Sequence, residues 1–305
     1  MSNFNVVQPF SNEPAGIVAL NCAGSIVLED WYVRGKTADL YMHFENCADV
    51  TVRGAEIYMS GRPVTAVDSQ LLISDSSLSY DPPQGIFWPF YSYLETTETL
   101  RLVDATATIV ASGIFGIGQI EPAIFELWER PAVVPDNSIL NVGPLSALRG
   151  GSNGSTRYPG YQVFTTASVN VDPRATITSN GIGTTQTNDY AHAVYHTSLV
   201  AGEPYTLAVS GPPGGFAVIA SGDDLSSPLP TVLGELSLLP SSVVVTGLLA
   251  LTATNGYHQQ LLTCPAMAPV GHAFAFQAAT LAPDGTLALT IPSPFTVGWP
   301  HGQTP

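Results

Sequence analysis

At 305 residues the chain is long enough for a large core and for one or two domains. Charged residues make up only 11%, hydrophobic residues 45%, and glycine and proline number 28 and 25. This excludes both a helical protein rich in Glu and Lys and a disordered acidic chain, and suits short strands joined by tight turns. The formal net charge of −15, with Lys36 the only lysine, repels phosphate backbones, so no nucleic-acid partner is expected.

The N-terminal MSNFNVVQPF is not a signal peptide. Low lysine with abundant Ser, Thr and Gly is nonetheless the composition of an exported protein, placed outside the cell or on its surface, and this sequence would then be its mature form with an added Met. No apolar run reaches the roughly 18–20 residues that span a bilayer, so no membrane span is expected.

From residue 17 the sequence repeats. Asn21, Asn46, Asp68 and Asp104 act as anchors, each preceded by apolar residues two and four positions back: Ile17/Ala19, Met42/Phe44, Val64/Ala66 and Leu100/Leu102. Each is followed by a second alternating pair: Ile26/Leu28, Val50/Val52, Leu71/Ile73 and Ala107/Ile109. Five residues beyond that pair stands one more apolar residue: Val33, Ile57, Leu78 and Ile114. Alternation buries one face of a strand, and three short strands per repeat define a parallel β-helix. The anchors mark a sharp bend where one residue enters the left-handed region, which Asn and Asp tolerate best after Gly. Stacking should set Asn21 above Asn46 with their amides bonded along a ladder.

Two further coils are expected. AIFELWERPAVV (123–134) places Trp128 at the anchor, and YQVFTTASVNVDPRATI (161–177) supplies Val169 and Val171. The solenoid thus spans 1–185 in about six coils, with insertions at 81–98 and 141–160. Its ends need covers, which MSNFNVVQPF and the following domain are placed to supply.

Cys22 and Cys47 fall at stacked positions. They read either as two small buried residues or as a disulfide between adjacent coils. With Cys264 they form no metal-ligand pattern, and no metal or cofactor is expected.

The insertion at 81–98 carries Phe87, Trp88, Phe90, Tyr91 and Tyr93, stiffened by Pro82, Pro83 and Pro89. These aromatics either stack on sugar rings, dock another subunit, or fold down as a private cluster. Glu121, Glu126 and Glu129 beside Trp128 form an acidic-aromatic patch that extends a sugar-binding groove or is a solvated edge. Trp88, Phe90, Tyr91, Tyr93, Trp128 and Glu126 are the candidate ligand-binding residues.

Catalytic groups are sparse. His43, Glu45 and Arg101 share the outer face of the first strands, but Thr65 separates the copies and no second acid joins them, as a hydrolase would require. Gly222-Asp223-Asp224 lies in a Ser- and Pro-rich loop. His192 and His196 have the spacing of helical metal ligands but lead into strands, about 13 Å apart along one face. Cys264 beside Pro265 has no evident base and reads as a core residue.

After 179–189, a polar glycine-rich boundary, the repeat fades. EPYTLAVSG, GGFAVIASG, SSVVVTGLLALTA, HAFAFQAATLA and TLALTIPSPF are strand-like and separated by Gly, Pro or Asp-Gly turns, as in a small antiparallel β-sandwich over 190–305.

VDSQLLISDSSLS, LRLVDATATIVASG and ASVNVDPRATITSNG resemble coils of exported right-handed parallel β-helix proteins common in planctomycetes and other marine bacteria. SLVAGEPYTLAVSGPPGG, VLGELSLLP and GHAFAFQAATLAPDGTLALTIP resemble the sandwich that often follows such a solenoid. More distantly the coils look like the pectin-lyase superfamily of lyases, hydrolases, tailspikes and adhesins. The resemblance implies an all-β chain, a right-handed β-helix and then a β-sandwich, but carries over no catalytic residue. The expectation is an exported, non-catalytic protein of surface structure, adhesion or self-assembly, forming homo-oligomers or filaments. The alternative is a carbohydrate-binding or polysaccharide-degrading β-helix protein, with polysaccharide as its partner.

Overall fold

A computed structural model describes residues 5–7, 16–34, 41–59, 64–80, 98–116, 131–153, 156–157, 159–163, 166–178, 186–290 and 292–298. The described residues contain strands and no helix. Two units divide the chain: residues 1–171 with 175–188, and residues 172–174 with 189–305.

The first unit is a parallel β-helix built on three sheets. Sheet 1 stacks Gly16–Leu20, Tyr41–Glu45, Val64–Val67, Leu100–Val103 and Val133–Asp136, with Asn5–Val7 added antiparallel on its first strand. Sheet 2 stacks Ser25–Glu29, Asp49–Arg53, Gln70–Ser74, Thr106–Val110, Ile139–Val142, Ser168–Val171 and Gln186–Asn188. Sheet 3 stacks Tyr32–Arg34, Glu56–Met59, Ser77–Tyr80, Gly113–Phe115, Ala147–Arg149 and Thr176–Ile177. The register follows the repeat. Ala19, Phe44, Ala66 and Leu102 pair in turn in sheet 1, and Val33, Ile57, Leu78 and Ile114 in sheet 3. The inward members of sheets 1 and 2 form one continuous apolar core with Ile57, Leu78, Ile114 and Leu148 of sheet 3.

The corner between sheets 1 and 2 is a column of left-handed residues. Asn21, Asn46, Asp68 and Asp104 have φ between 45° and 54°, as expected. The Asn21 N–H donates to Glu45 O of the next coil, Asn46 N–H to Val67 O, Asp68 N–H to Val103 O and Asp104 N–H to Asp136 O, at 2.9–3.0 Å. The Asn46 amide donates to Asn21 Oδ1 at 2.7 Å. One residue on, the column reads Cys22, Cys47, Ser69, Ala105, Ser138. Ser69 and Ser138 Oγ each accept a backbone N–H from the neighbouring coil at 3.0 Å and donate to a carbonyl of their own coil at 2.6 Å.

A second left-handed column, not anticipated from the anchors, turns the chain from sheet 2 to sheet 3. It comprises Asp30, Gly54, Asp75, Ala111 and Leu145, with φ between 48° and 59°. Ser76 and Ser112 follow it and repeat the hydroxyl device of the first corner, while Ser146 Oγ donates to Ile109 O of the preceding coil at 3.1 Å. Glycine suits position 54 doubly, because a Cβ there would collide with Asp30 Oδ1.

The fifth coil corrects the sequence reading. Its anchor is Asn137, with φ 48° and its amide bonded to Asp104 Oδ1, not Trp128, which lies outside the described residues. Residues 141–142 and 147–149 are strands of that coil rather than part of an insertion. Beyond them, Ser152–Asn153 pairs antiparallel with Thr156–Arg157 as a short hairpin. In the sixth coil the sheet 1 strand shrinks to a single bridge, Val133 to Tyr161.

The second unit is an antiparallel sandwich. One sheet orders Ala193–His196, Pro204–Ser210 and Tyr257–Thr263. The other is centred on Phe216–Thr231 and Ala273–Leu281, flanked by Gly234–Leu238, Val244–Ala250, Leu287–Leu289 and Ser293–Thr296. Val194, Leu207 and Val209 of the first meet Ala217, Ile219, Phe276, Ala278 and Phe295 of the second in one core. Asp172–Arg174 joins this unit: the Arg174 guanidinium pairs with Asp172 at 2.5 Å, donates to the carbonyls of Gly211 and Asn255, and lies 5.2 Å from the Tyr190 ring.

Ala111 and Leu145 bear the steric cost of the left-handed conformation without an Asx side chain to offset it. Leu145 is exposed, so little burial is lost on replacing it. Leu145→Asn and Ala111→Gly should each raise the solenoid's stability by about 1 kcal/mol in urea unfolding; a decrease would contradict the corner assignment.

Candidate functional site

The outer face of the larger sandwich sheet departs most from what a solvated surface should be. Antiparallel strands with one wet face alternate apolar and polar residues, yet FAVIA, VVVTGLLA, QAATL and LAL place apolar residues on both faces. Ala217, Ile219, Ala278 and Leu249 turn inward to the core. Their neighbours turn out and meet in two rows across four strands. Leu248, Val218, Ala279 and Leu289 make one row; Ala250, Phe216, Leu281 and Leu287 make the other. Neither row contains a charged residue.

Part of this face is covered. Gln277, on the same side, accepts the Ser237 N–H at 3.0 Å and donates to Glu235 O and Thr290 O at 2.6 and 2.9 Å. The Gly234–Leu238 strand is thus fixed over that portion, and Ser237 and Leu238 are buried. The remainder stays open: Leu248 is 71% exposed, Phe216 51%, Leu287 41%, Leu281 40% and Val218 37%. An apolar cluster of this kind marks a contact surface.

Trp88, Phe90, Tyr91, Tyr93, Trp128 and Glu126 lie outside the described residues, as do Glu121 and Glu129. Cys22 and Cys47 do stack, but as free, buried thiols and not as a disulfide. Cys47 Sγ turns to Glu45 O and Ala19 O at 3.4 and 3.5 Å, and burial pushes its pKa up. The cysteines therefore act as small packing residues of the corner.

His43 bonds Glu45 at 3.2 Å and Arg101 bonds Glu98 at 3.2 Å, with Thr65 between the two pairs. Asp223 pairs with His272 at 2.9 Å, and its N–H donates to Ser242 Oγ at 2.8 Å. His192 and His196 have separate surroundings. His192 Nδ1 lies 2.5 Å from Thr280 Oγ1, and burial pushes its pKa down, keeping it neutral at pH 7. His196 Nδ1 donates to Thr197 O at 2.7 Å while its ring packs edge-on to Phe276 and Phe295. Cys264 is a core residue whose pKa burial raises. Among the described residues no group of three or more His, Cys, Asp or Glu is arranged to hold a metal ion.

Sequence reasoning missed the outer face of sheet 2. Arg53 is fully buried there and bonds Glu29 of the preceding coil through Nη1; Asp30, Asp49 and Asp75 add their fields. Burial raises Glu29 and lowers Arg53 even though each favours the other's charge, so desolvation outweighs the pairing. The signal was present in the sequence, since Glu29 and Arg53 fall in register once the coils are aligned. Further along the same face a polar ladder runs through Thr108, Asn141, Asn170 and Thr187. The Asn141 amide donates to Thr108 Oγ1 at 3.4 Å, the Asn170 amide to Asn141 Oδ1 at 2.8 Å, and the Thr187 hydroxyl to Asn170 Oδ1.

No protein-family model matches the chain, and no curated protein matches it.

Arg53→Met strands the Glu29 carboxylate and should cost about 3 kcal/mol of solenoid stability at neutral pH, whereas Arg53→Met with Glu29→Leu should recover most of that loss. Because Glu29 is raised in the folded state, its stabilising contribution is complete below the ordinary carboxylate pKa. It is lost as pH rises through the raised value. The single variant's deficit should therefore shrink in acid, as measured by urea unfolding across pH.

Proposed function

We propose that the chain is an exported, non-catalytic protein of the cell surface that acts in structure, adhesion or self-assembly. In this reading the β-helix is the scaffold and the sandwich carries the contact surface. The observation that carries this is the open apolar face of Phe216, Val218, Leu248, Leu281 and Leu287. Three carboxylates of the described solenoid support the same reading: Glu29, Glu45 and Glu98 are each engaged by a basic side chain of the same unit. An exported location is supported by composition, and kinship with pectin-lyase-like proteins by the coil motifs. Electron microscopy of the full chain should show ordered multimers, with no sugar released from acidic polysaccharides. Monomers that cleave such a polysaccharide would overturn this reading.

A second reading, carbohydrate binding along the solenoid, is favoured by the amide and hydroxyl ladder of sheet 2. Alternating donors and acceptors at a coil spacing of about 4.8 Å suit a chain of sugar hydroxyls. On that reading Asn141→Ala with Asn170→Ala abolishes retention on a polysaccharide column; unchanged retention, or none by the parent protein, contradicts it.

A further inference from the structure

We infer that Cys22 and Cys47 are an oxidative cross-link site: met by a small-molecule disulfide, the two thiols join and staple the first coil of the solenoid to the second. As thiols they pack the corner, and the same stacking presets them for a bond. The residues on either side of the pair are tied across the two coils. Ahead of it, the Asn21 N–H donates to Glu45 O at 2.9 Å and the Asn46 amide to Asn21 Oδ1 at 2.7 Å. Behind it, the Ala48 N–H donates to Cys22 O at 2.9 Å. Equivalent residues of stacked coils lie about 4.8 Å apart, within the Cα separations that a disulfide spans. Cys47 Sγ already reaches the first coil, 3.5 Å from Ala19 O, and the Cys22 side chain is within hydrogen-bonding reach of it.

The corner column singles out this pair. Later coils place Ser69, Ala105 and Ser138 there, and the remaining cysteine, Cys264, lies in the core of the second unit. Among the described residues the first coil stacks on one coil only, with Asn5–Val7 paired to its first strand. An end coil is the part of a solenoid most open to fraying, so a covalent tie gains most there. Cys22 is the entry thiol, being 7% exposed against 1% for Cys47. Its thiolate attacks one sulfur of the small disulfide and expels a thiolate. The Cys47 thiol gives its proton to water, attacks the Cys22 sulfur of the mixed disulfide and expels the second thiolate. The small disulfide is thereby reduced to two thiols and the protein gains one S–S bond. The exported location proposed above would supply oxidising surroundings, but the chemistry does not depend on it.

The test is non-reducing peptide mapping of the full chain by mass spectrometry after equilibration with oxidised and reduced glutathione. One sample stays folded, and another is refolded from urea in the same buffer, so that burial does not limit access. A bridged Cys22–Cys47 peptide should form on refolding and, more slowly, in the folded chain, with Cys264 left as a free thiol. The urea midpoint of the solenoid should rise with the cross-link and fall back when reductant is added. Cys264→Ser should keep both effects and Cys47→Ser should lose both. Serine already fits this column at Ser69 and Ser138, so the Cys47→Ser chain is expected to fold. Cys22 and Cys47 that stay free, or end as separate glutathione adducts, in both samples would overturn the site. Pairing of either with Cys264 would overturn it equally.

Discussion

The fold depends on one recurring constraint: at each corner between sheets 1 and 2 a residue must enter the left-handed region while its N–H reaches the next coil. Asn21, Asn46, Asp68 and Asp104 meet both demands. Their short polar side chains soften the steric penalty, and along the stack the Asn46 amide bonds Asn21 and the Asn137 amide bonds Asp104. The residue that follows completes the corner. Where it is serine, its hydroxyl binds backbone of two coils at once, so a turn that would otherwise bury an unsatisfied N–H becomes part of the ladder. Cys22, Cys47 and Ala105 occupy the same column; the two thiols turn to backbone carbonyls, and Ala105 fills its place by size alone.

Four coils were legible because their anchors, flanking alternation and five-residue offset recur together. The fifth was hidden by two local changes. Pro135 takes the inward place that Leu102 holds one coil earlier, and a proline inside a strand reads as a break. The offset from Val142 to Leu148 is also six residues, because the corner at Leu145 holds one more. The second corner column escaped notice because its left-handed positions are chemically mixed. A set of Asp, Gly, Ala and Leu shares a conformation but no side chain. The Arg53–Glu29 pair became visible only with coil register, which links residues 24 apart.

The two units handle polarity in opposite ways. On the outer side of sheet 2 the solenoid buries the Arg53 charge, half-buries amides and ties them together across coils, through Arg53 with Glu29 and through Asn141 with Asn170. In the sandwich, apolar residues occupy both faces of the central strands, and the portion beneath Gly234–Leu238 is covered while Phe216, Val218, Leu248, Leu281 and Leu287 are exposed. Apolar runs such as FAVIA were readable as strands, but not as strands with an uncovered second face. Which portion the hairpin shields depends on tertiary placement and not on periodicity.

Coil register is tested most directly by paired cysteines at the corner, in a chain whose Cys22, Cys47 and Cys264 are replaced by serine. Adjacent corners lie about 4.8 Å apart and alternate corners about twice that, so only the former fall within disulfide range. Asp104→Cys with Asn137→Cys should cross-link on mild oxidation, seen as a bridged peptide by mass spectrometry, while Asp68→Cys with Asn137→Cys should not. Bridging of the second pair, or failure of the first, would contradict the stacked-corner architecture.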